Sequence, residues 1–108
     1  MKMEFSPNVA IQVQNLDDAV TFYVETLGMD IVERREKEVV LKSGPMTFYV
    51  EASPQGATFF EFATDDLDEA KEKLEKEGCD LRSVQTPEGE DSFLVSDPYG
   101  MKFHVFEK

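Results

Sequence analysis

The stretch Asn15-Leu16-Asp17-Asp18-Ala19 returns 51 positions later as Asp66-Leu67-Asp68-Glu69-Ala70. An alternating segment precedes each copy, and a glycine, Gly28 or Gly78, follows each one. The repeated element is therefore a strand, an N-cap, a helix and a glycine stop. The chain has room for only two copies, whereas solenoids need roughly three or more repeats to bury a continuous core. The repeat thus predicts one pseudo-symmetric domain.

Both copies have the features of a helix start. Asn15 and Asp66 are predicted N-caps, and each is followed three residues later by an acid that favours the positive helix end. The apolar residues of both helices then fall at helical spacing on one stripe. The predicted buried positions are Leu16, Ala19, Val20, Tyr23 and Leu27 in the first helix, and Leu67, Ala70 and Leu74 in the second.

Strand signals surround both helices. One strand is predicted before each helix, over residues 8–14 and 58–64. Three are predicted after each helix, over residues 29–34, 39–42 and 46–51 and over residues 80–84, 92–96 and 101–107. Asp97-Pro98-Tyr99-Gly100 has the residues of a type I turn, so it predicts a hairpin between the last two strands. The fold class is α+β: two tandem βαβββ modules, at about 5–52 and 57–108, in a single domain spanning residues 1–108.

Composition limits the possible partners. The formal net charge is −12, which argues against nucleic acid and anionic membranes because both require concentrated positive charge. A cationic ligand is compatible with that charge. The single cysteine, Cys79, excludes an intrachain disulfide, and the first residues lack the apolar run of a secretory signal, so we expect a cytoplasmic protein.

Alternation along the strands assigns two faces to each module. The predicted core face carries Val9, Ile11, Val13, Phe48, Val50, Phe60, Phe62, Phe103 and Val105. The other face mixes aromatic and polar groups, which is typical of a small-molecule cavity but also of a solvated face or a subunit contact. The predicted ligand-binding residues on it are Asn8, Gln12, Tyr49, Glu51, Phe59, Glu61, His104 and Phe106.

Two motifs carry a family resemblance. The opening, residues 8–13 followed by the first copy of the repeat and by Phe22-Tyr23 and Leu27-Gly28, resembles the vicinal oxygen chelate superfamily. That group includes glyoxalase I, extradiol dioxygenases, fosfomycin resistance enzymes and bleomycin resistance proteins. The close, residues 95–105, is similar to the last hairpin of the family. The resemblance implies a mixed sheet that curves around a cavity, with helices on its outer face, and assembly as a homodimer.

The resemblance also implies positions for a divalent metal that acts as a Lewis acid. Carried onto this sequence, they are Asn8, Tyr49, Phe59 and His104. Only His104 is a strong ligand type, and Phe59 has no donor atom. We therefore expect no metal, no other cofactor and no catalytic residue, although a displaced set of Glu51, Glu61 and His104 is an alternative.

Three functions follow from these observations. The first is a non-catalytic protein that binds a small aromatic or cationic molecule, as metal-free bleomycin resistance proteins sequester a drug between the subunits of a dimer. The second is a metal-dependent lyase or isomerase of the glyoxalase type that uses the displaced set. The third is a structural or regulatory dimer without a ligand, in which Tyr49 and Phe59 are buried at a subunit contact.

Overall fold

The computed structural model of the chain describes residues 1–86 and 88–108. Within them lie eight strands and two helices, in the order of two βαβββ modules, which confirms the predicted α+β class. The first module contains β1 (Met3–Val13), α1 (Leu16–Glu25), β2 (Asp30–Arg34), β3 (Glu38–Ser43) and β4 (Met46–Ala52). The second contains β5 (Thr58–Thr64), α2 (Leu67–Lys76), β6 (Asp80–Gln85), β7 (Asp91–Ser96) and β8 (Lys102–Glu107).

The chain divides into two compact units. We call Pro7–Thr58 the N-terminal unit, and Phe59–Lys108 together with Met1–Ser6 the C-terminal unit. The first residues of β1 therefore belong with the second half of the chain. The prediction that residues 1–108 form a single domain stays a prediction.

The repeated motif caps both helices as predicted. The side chain of Asn15 accepts a hydrogen bond from the backbone N–H of Asp18, and that of Asp66 accepts one from Glu69, each at 3.0 Å. Each bond satisfies one of the backbone donors that a helix leaves unpaired at its start. The repeat is therefore a structural signal.

In the N-terminal unit the strand order is β2-β3-β4-β1, antiparallel except for the parallel pair of β1 and β4. Helix α1 places Val20 against a core of Val39, Leu41 and Val50. In the C-terminal unit the order is β6-β7-β8-β5, with β5 and β8 parallel. Helix α2 buries Ala70 against Phe93, Val95, Phe103 and Val105. Each unit therefore has one strand face covered by its own helix.

Three sequence expectations differ from the structure. Strand β1 begins at Met3 and runs through Pro7, which has no N–H to donate to a neighbouring strand. Leu27 is 53% exposed because α1 ends at Glu25, before that position. Phe60 is 41% exposed although it pairs with the core residue Phe103; its ring lies 6.5 Å from that of Phe5.

Candidate functional site

The strand face of the C-terminal unit that points away from α2 carries four of the eight predicted site residues, which are Phe59, Glu61, His104 and Phe106. Strands β5 and β8 run parallel, with Glu61 directly opposite His104 and Ala63 opposite Phe106. Since side chains alternate, these residues share the face that α2 does not cover. The register therefore brings Glu61, His104 and Phe106 together, as the alternation predicted.

His104 is held from both edges of its ring. Its Nδ1 lies 3.4 Å from Oε2 of Glu61, and its Nε2 lies 2.8 Å from Oγ of Ser92 on β7. The side chains of His104 and Glu61 are 18% and 17% exposed, and Ser92 is fully buried. Both nitrogens of the imidazole are thus engaged within the protein.

The contacts at both ring nitrogens affect whether His104 can bind the metal that the family resemblance implies. A neutral imidazole binds a metal through one ring nitrogen, and Nε2 is already in a short contact with Ser92. Phe59, at another implied ligand position, has no donor atom and is 7% exposed. The residues at these positions therefore do not fit a metal site.

The displaced alternative lacks geometric support as well. Across residues 1–86 and 88–108, no group of three or more His, Cys, Asp or Glu side chains is placed to hold a metal ion. Glu61 lies beside His104, as that alternative required, but within residues 1–86 and 88–108 no third His, Cys, Asp or Glu completes a metal-binding group with them.

Two aromatic residues share this strand face with the Glu61–His104 pair. The ring of Phe106 stacks on that of His104, with centroids 5.9 Å apart and an interplanar angle of 23°. Phe59 lies two residues before Glu61 on the same face of β5. A carboxylate beside aromatic rings is a combination that attracts planar cations.

The N-terminal unit carries the remaining predicted residues. Strands β1 and β4 are parallel and place Gln12 opposite Glu51. Gln12 donates from Nε2 to Oε1 of Glu51 at 3.1 Å. Tyr49 and Asn8 are half-buried on the same strand face. The structure thus joins Gln12 to Glu51.

The two units use the internal repeat differently. The sequence repeat relates β1 to β5 by a shift of 51 residues. Combined with the registers of the two parallel pairs, β1 with β4 and β5 with β8, this shift gives each cross-strand pair of one unit a counterpart in the other. The polar pairs occupy different positions. The corresponding pairs are Ala10–Tyr49 with Glu61–His104, and Gln12–Glu51 with Ala63–Phe106. Each unit therefore has one polar pair and one pair without charge, in opposite order along the strands.

Ser92 was not among the predicted site residues. It pairs with Phe106 in the antiparallel ladder of β7 and β8, while His104 pairs with Leu94, so Ser92 is a diagonal neighbour of His104. The backbone N–H of Asp97 donates to the carbonyl of Met101 at 3.0 Å, and counting back from that pair gives this register. The predicted turn at residues 97–100 shows that β7 and β8 are neighbours, but a ladder closed across Asp97 and Gly100 would pair Ser92 with Val105, so the sequence alone did not identify the contact of Ser92 with His104.

Comparison with known proteins places the chain in a family. Residues 7–105 match the family described as the Glyoxalase/Bleomycin resistance protein/Dioxygenase superfamily. The chain belongs to this superfamily, which confirms the resemblance to the vicinal oxygen chelate group. No curated protein matches the chain.

Solved structures share the fold at low sequence identity. Homoprotocatechuate 2,3-dioxygenase from Brevibacterium fuscum, in complex with 3,4-dihydroxyphenylacetate, matches with a TM-score of 0.70 and 22% identity over 99% of this chain and 37% of its own. The enzyme from Arthrobacter globiformis matches with 0.71 and 23% over 99% and 37%. A hypothetical protein from Bacillus halodurans C-125 matches with 0.67 and 14% over 100% and 96%.

This chain spans about a third of the length of the first dioxygenases it matches, at 33% of the chain in one case. These likenesses show the fold. In the described part of the chain, no helix has the length and apolar character needed to cross a membrane.

Proposed function

We propose that this chain binds a small planar cation without a metal ion, and that it is not a metal-dependent enzyme. The observation that carries the proposal is the environment of His104, the one strong ligand type at the implied metal positions. Its two ring nitrogens are occupied by Glu61 and Ser92. The imidazole then serves as part of a binding surface.

The charge and rings of this surface define the class of ligand. Glu61 offers a carboxylate that is only 17% exposed, so water screens its interaction with a cation less than at an open surface. The stacked rings of His104 and Phe106 offer flat apolar area beside it. The formal charge of −12 also attracts cations over a longer range.

In the N-terminal unit Glu51 and Tyr49 repeat the combination of a carboxylate and a ring on one strand face. The superfamily description includes bleomycin resistance proteins, whose name describes resistance to a drug. Drug sequestration is therefore part of the proposal.

Isothermal titration calorimetry tests the proposal with two probes, the planar cation ethidium and its neutral counterpart phenanthridine. Both titrations are carried out in a buffer that contains EDTA, which removes metal ions. Metal-free bleomycin is a third probe. We expect ethidium to bind and phenanthridine to bind about tenfold more weakly or not at all, because one ion pair beside aromatic rings is worth about 1 kcal/mol or more. Equal affinity for both probes would remove the cationic part of the proposal.

Two variants locate the site. Glu61→Gln and Glu51→Gln each remove one carboxylate from the proposed surfaces, and Glu72→Gln removes one from the exposed side of α2 as a matched charge control. We expect Glu61→Gln to weaken ethidium binding and Glu72→Gln to leave it unchanged. If all three variants lose the same small amount of affinity, the effect is one of net charge alone.

Metal loading tests the competing enzymatic function. The purified chain is incubated with nickel, zinc, manganese or iron, desalted, and assayed for bound metal and melting temperature. A ligand that binds only the native state must raise the melting temperature. Stoichiometric metal with such a rise would contradict the proposal.

We also propose that the protein assembles as a homodimer. Phe5 and Phe60 are 50% and 41% exposed and touch each other, which offers an apolar patch for contact with a second copy. Light scattering coupled to gel filtration measures the mass, and Phe60→Ser is expected to shift it towards the monomer. A monomeric wild-type chain at high concentration contradicts this.

A further inference from the structure

We propose that Ser92 is a positioning residue that, together with Glu61, holds the imidazole of His104 in one orientation and one tautomer, with the ring proton on Nδ1 beside Glu61. The inference rests on the proposed function, because it concerns the same strand face and determines how that face meets a ligand. It assigns a role to a residue that does not itself touch the ligand.

Burial separates the role of Ser92 from that of its partners. Ser92 is fully buried, whereas His104 and Glu61 each keep about a sixth of their side chains exposed, at 18% and 17%. A substrate or ligand thus reaches the imidazole and the carboxylate but not Oγ of Ser92. The serine, histidine and glutamate are connected in the order of a nucleophilic triad, yet the buried hydroxyl is not available for attack.

The hydrogen-bonding capacities of the three groups fix the tautomer. An ionised carboxylate only accepts, so the nitrogen that faces Glu61 carries the proton. In the neutral ring Nε2 is then an acceptor, and the Ser92 hydroxyl donates to it across 2.8 Å. The other acceptor within reach of that hydroxyl, the carbonyl of Val84, lies farther away at 3.4 Å.

The consequence for binding is a fixed ring orientation. A ring held at both nitrogens does not turn over about its Cβ–Cγ bond without breaking its contacts with Glu61 and Ser92. Its plane therefore stays stacked on Phe106, and its Nδ1 stays next to Glu61. Preorganised groups bind a ligand with less loss of entropy.

The decisive measurement is the imidazole nitrogen spectrum of the ¹⁵N-labelled wild-type chain. His104 is the only histidine, so the spectrum reports on this residue alone. In the neutral ring we expect one protonated nitrogen, Nδ1, and one unprotonated nitrogen, Nε2. A protonated Nε2, or an average of both tautomers, overturns the inference without any variant.

Ser92→Ala tests the role of the hydroxyl. Without it we expect the signal of the unprotonated Nε2 to move, because this nitrogen no longer accepts a hydrogen bond, and ethidium to bind about threefold to tenfold more weakly, the usual size of one hydrogen bond. Ser92→Thr keeps the hydroxyl and should retain the wild-type Nε2 signal. Ser96→Ala, two positions from Leu94 on the same face of β7, is the matched control and should change neither readout.

The two proposals fail separately. A wild-type chain that shows the Nδ1–H tautomer but binds no ethidium refutes the cationic ligand and leaves the role of Ser92 in place. A Ser92→Ala chain whose Nε2 signal is the same as in the wild type refutes the role of Ser92, whatever the ligand does. Labelling of wild-type Ser92 by a fluorophosphonate would also overturn it, since that would require an accessible hydroxyl.

Discussion

Gln12 donates a hydrogen bond from Nε2 to Oε1 of Glu51 across the parallel pair of β1 and β4, at 3.1 Å. The C-terminal unit has its polar cross-strand pair, Glu61 and His104, at a different position of the repeat. Sequence duplication has therefore preserved the strand pairing while the chemistry of the paired positions has diverged. The polar pair of each unit can be tested on its own.

Replacement of Gln12 by glutamate should destabilise the N-terminal unit. Gln12→Glu removes the amide donor and places two carboxylates directly opposite each other on half-buried strands, for a loss of about 1–2 kcal/mol at neutral pH. Gln14→Glu adds the same charge at an exposed position and is the control. Urea unfolding measures both. Equal stability of the two variants would mean that the Gln12–Glu51 bond contributes nothing.

Stability in acid should depend on Glu4. Hydrogen bonds from Lys2 and Lys108, followed by their charges, lower the pKa of the Glu4 carboxyl from 4.5 to about 2. A carboxyl whose pKa is lowered in the folded state contributes stability above its unfolded pKa, and loses it as the pH falls through the folded value. We therefore expect this contribution to decline between about pH 4.5 and 2.

Glu4→Gln tests this contribution. As the pH is lowered from 4.5 to about 2, the urea midpoint of unfolding of this variant should decrease less than that of the wild type. Glu72→Gln, which removes a carboxylate from the exposed side of α2, should keep the wild-type slope. Screening by salt should weaken the effect, because the Glu4 side chain is 42% exposed. Parallel slopes for wild type and Glu4→Gln would contradict the lowered pKa.

The sequence predicted those features that depend on local chemistry. Both N-caps, the hairpin turn at residues 97–100 and the faces of β4 and β8 follow from residue type and alternation, and the structure confirms them. The exposure of Phe60 did not follow, because strand alternation gives the face on which a residue lies but not how much of that face is covered. The contact of Ser92 with His104 is diagonal across two strands, so neither strand shows it alone.

The cap of the second helix should contribute measurably to stability. Asp66→Ala removes the acceptor of the Glu69 N–H and should cost about 1 kcal/mol. Asp68→Ala removes an equal charge from the first turn of α2, where that charge interacts with the helix dipole, and should cost a few tenths of a kcal/mol. Thermal and urea unfolding compare the two. A larger loss for Asp68→Ala would overturn the assignment of Asp66 as the cap.

Cys79 should react slowly with alkylating agents. Desolvation, followed by the nearby charges of Asp97, Glu77 and Asp80, raises the pKa of its thiol above the ordinary value of 9.0. The thiolate is the reactive form, so the alkylation rate with iodoacetamide should reach half its maximum above pH 9.0 and lie below that of a free thiol at neutral pH. Glu77→Gln removes one of the repelling charges and should shift this midpoint to lower pH.

The raised pKa of the Cys79 thiol also determines how the stability of the protein changes at alkaline pH. The folded state holds the proton of the Cys79 thiol more tightly than the unfolded state does. The contribution of this thiol to stability is therefore fully present below its unfolded pKa and is lost as the pH rises through its folded pKa. Cys79→Ser removes the titrating thiol, so its unfolding midpoint should decline less than that of the wild type above pH 9.0. A Cys79 that alkylates rapidly at neutral pH would show instead that the thiol lies in an environment that stabilises its anion.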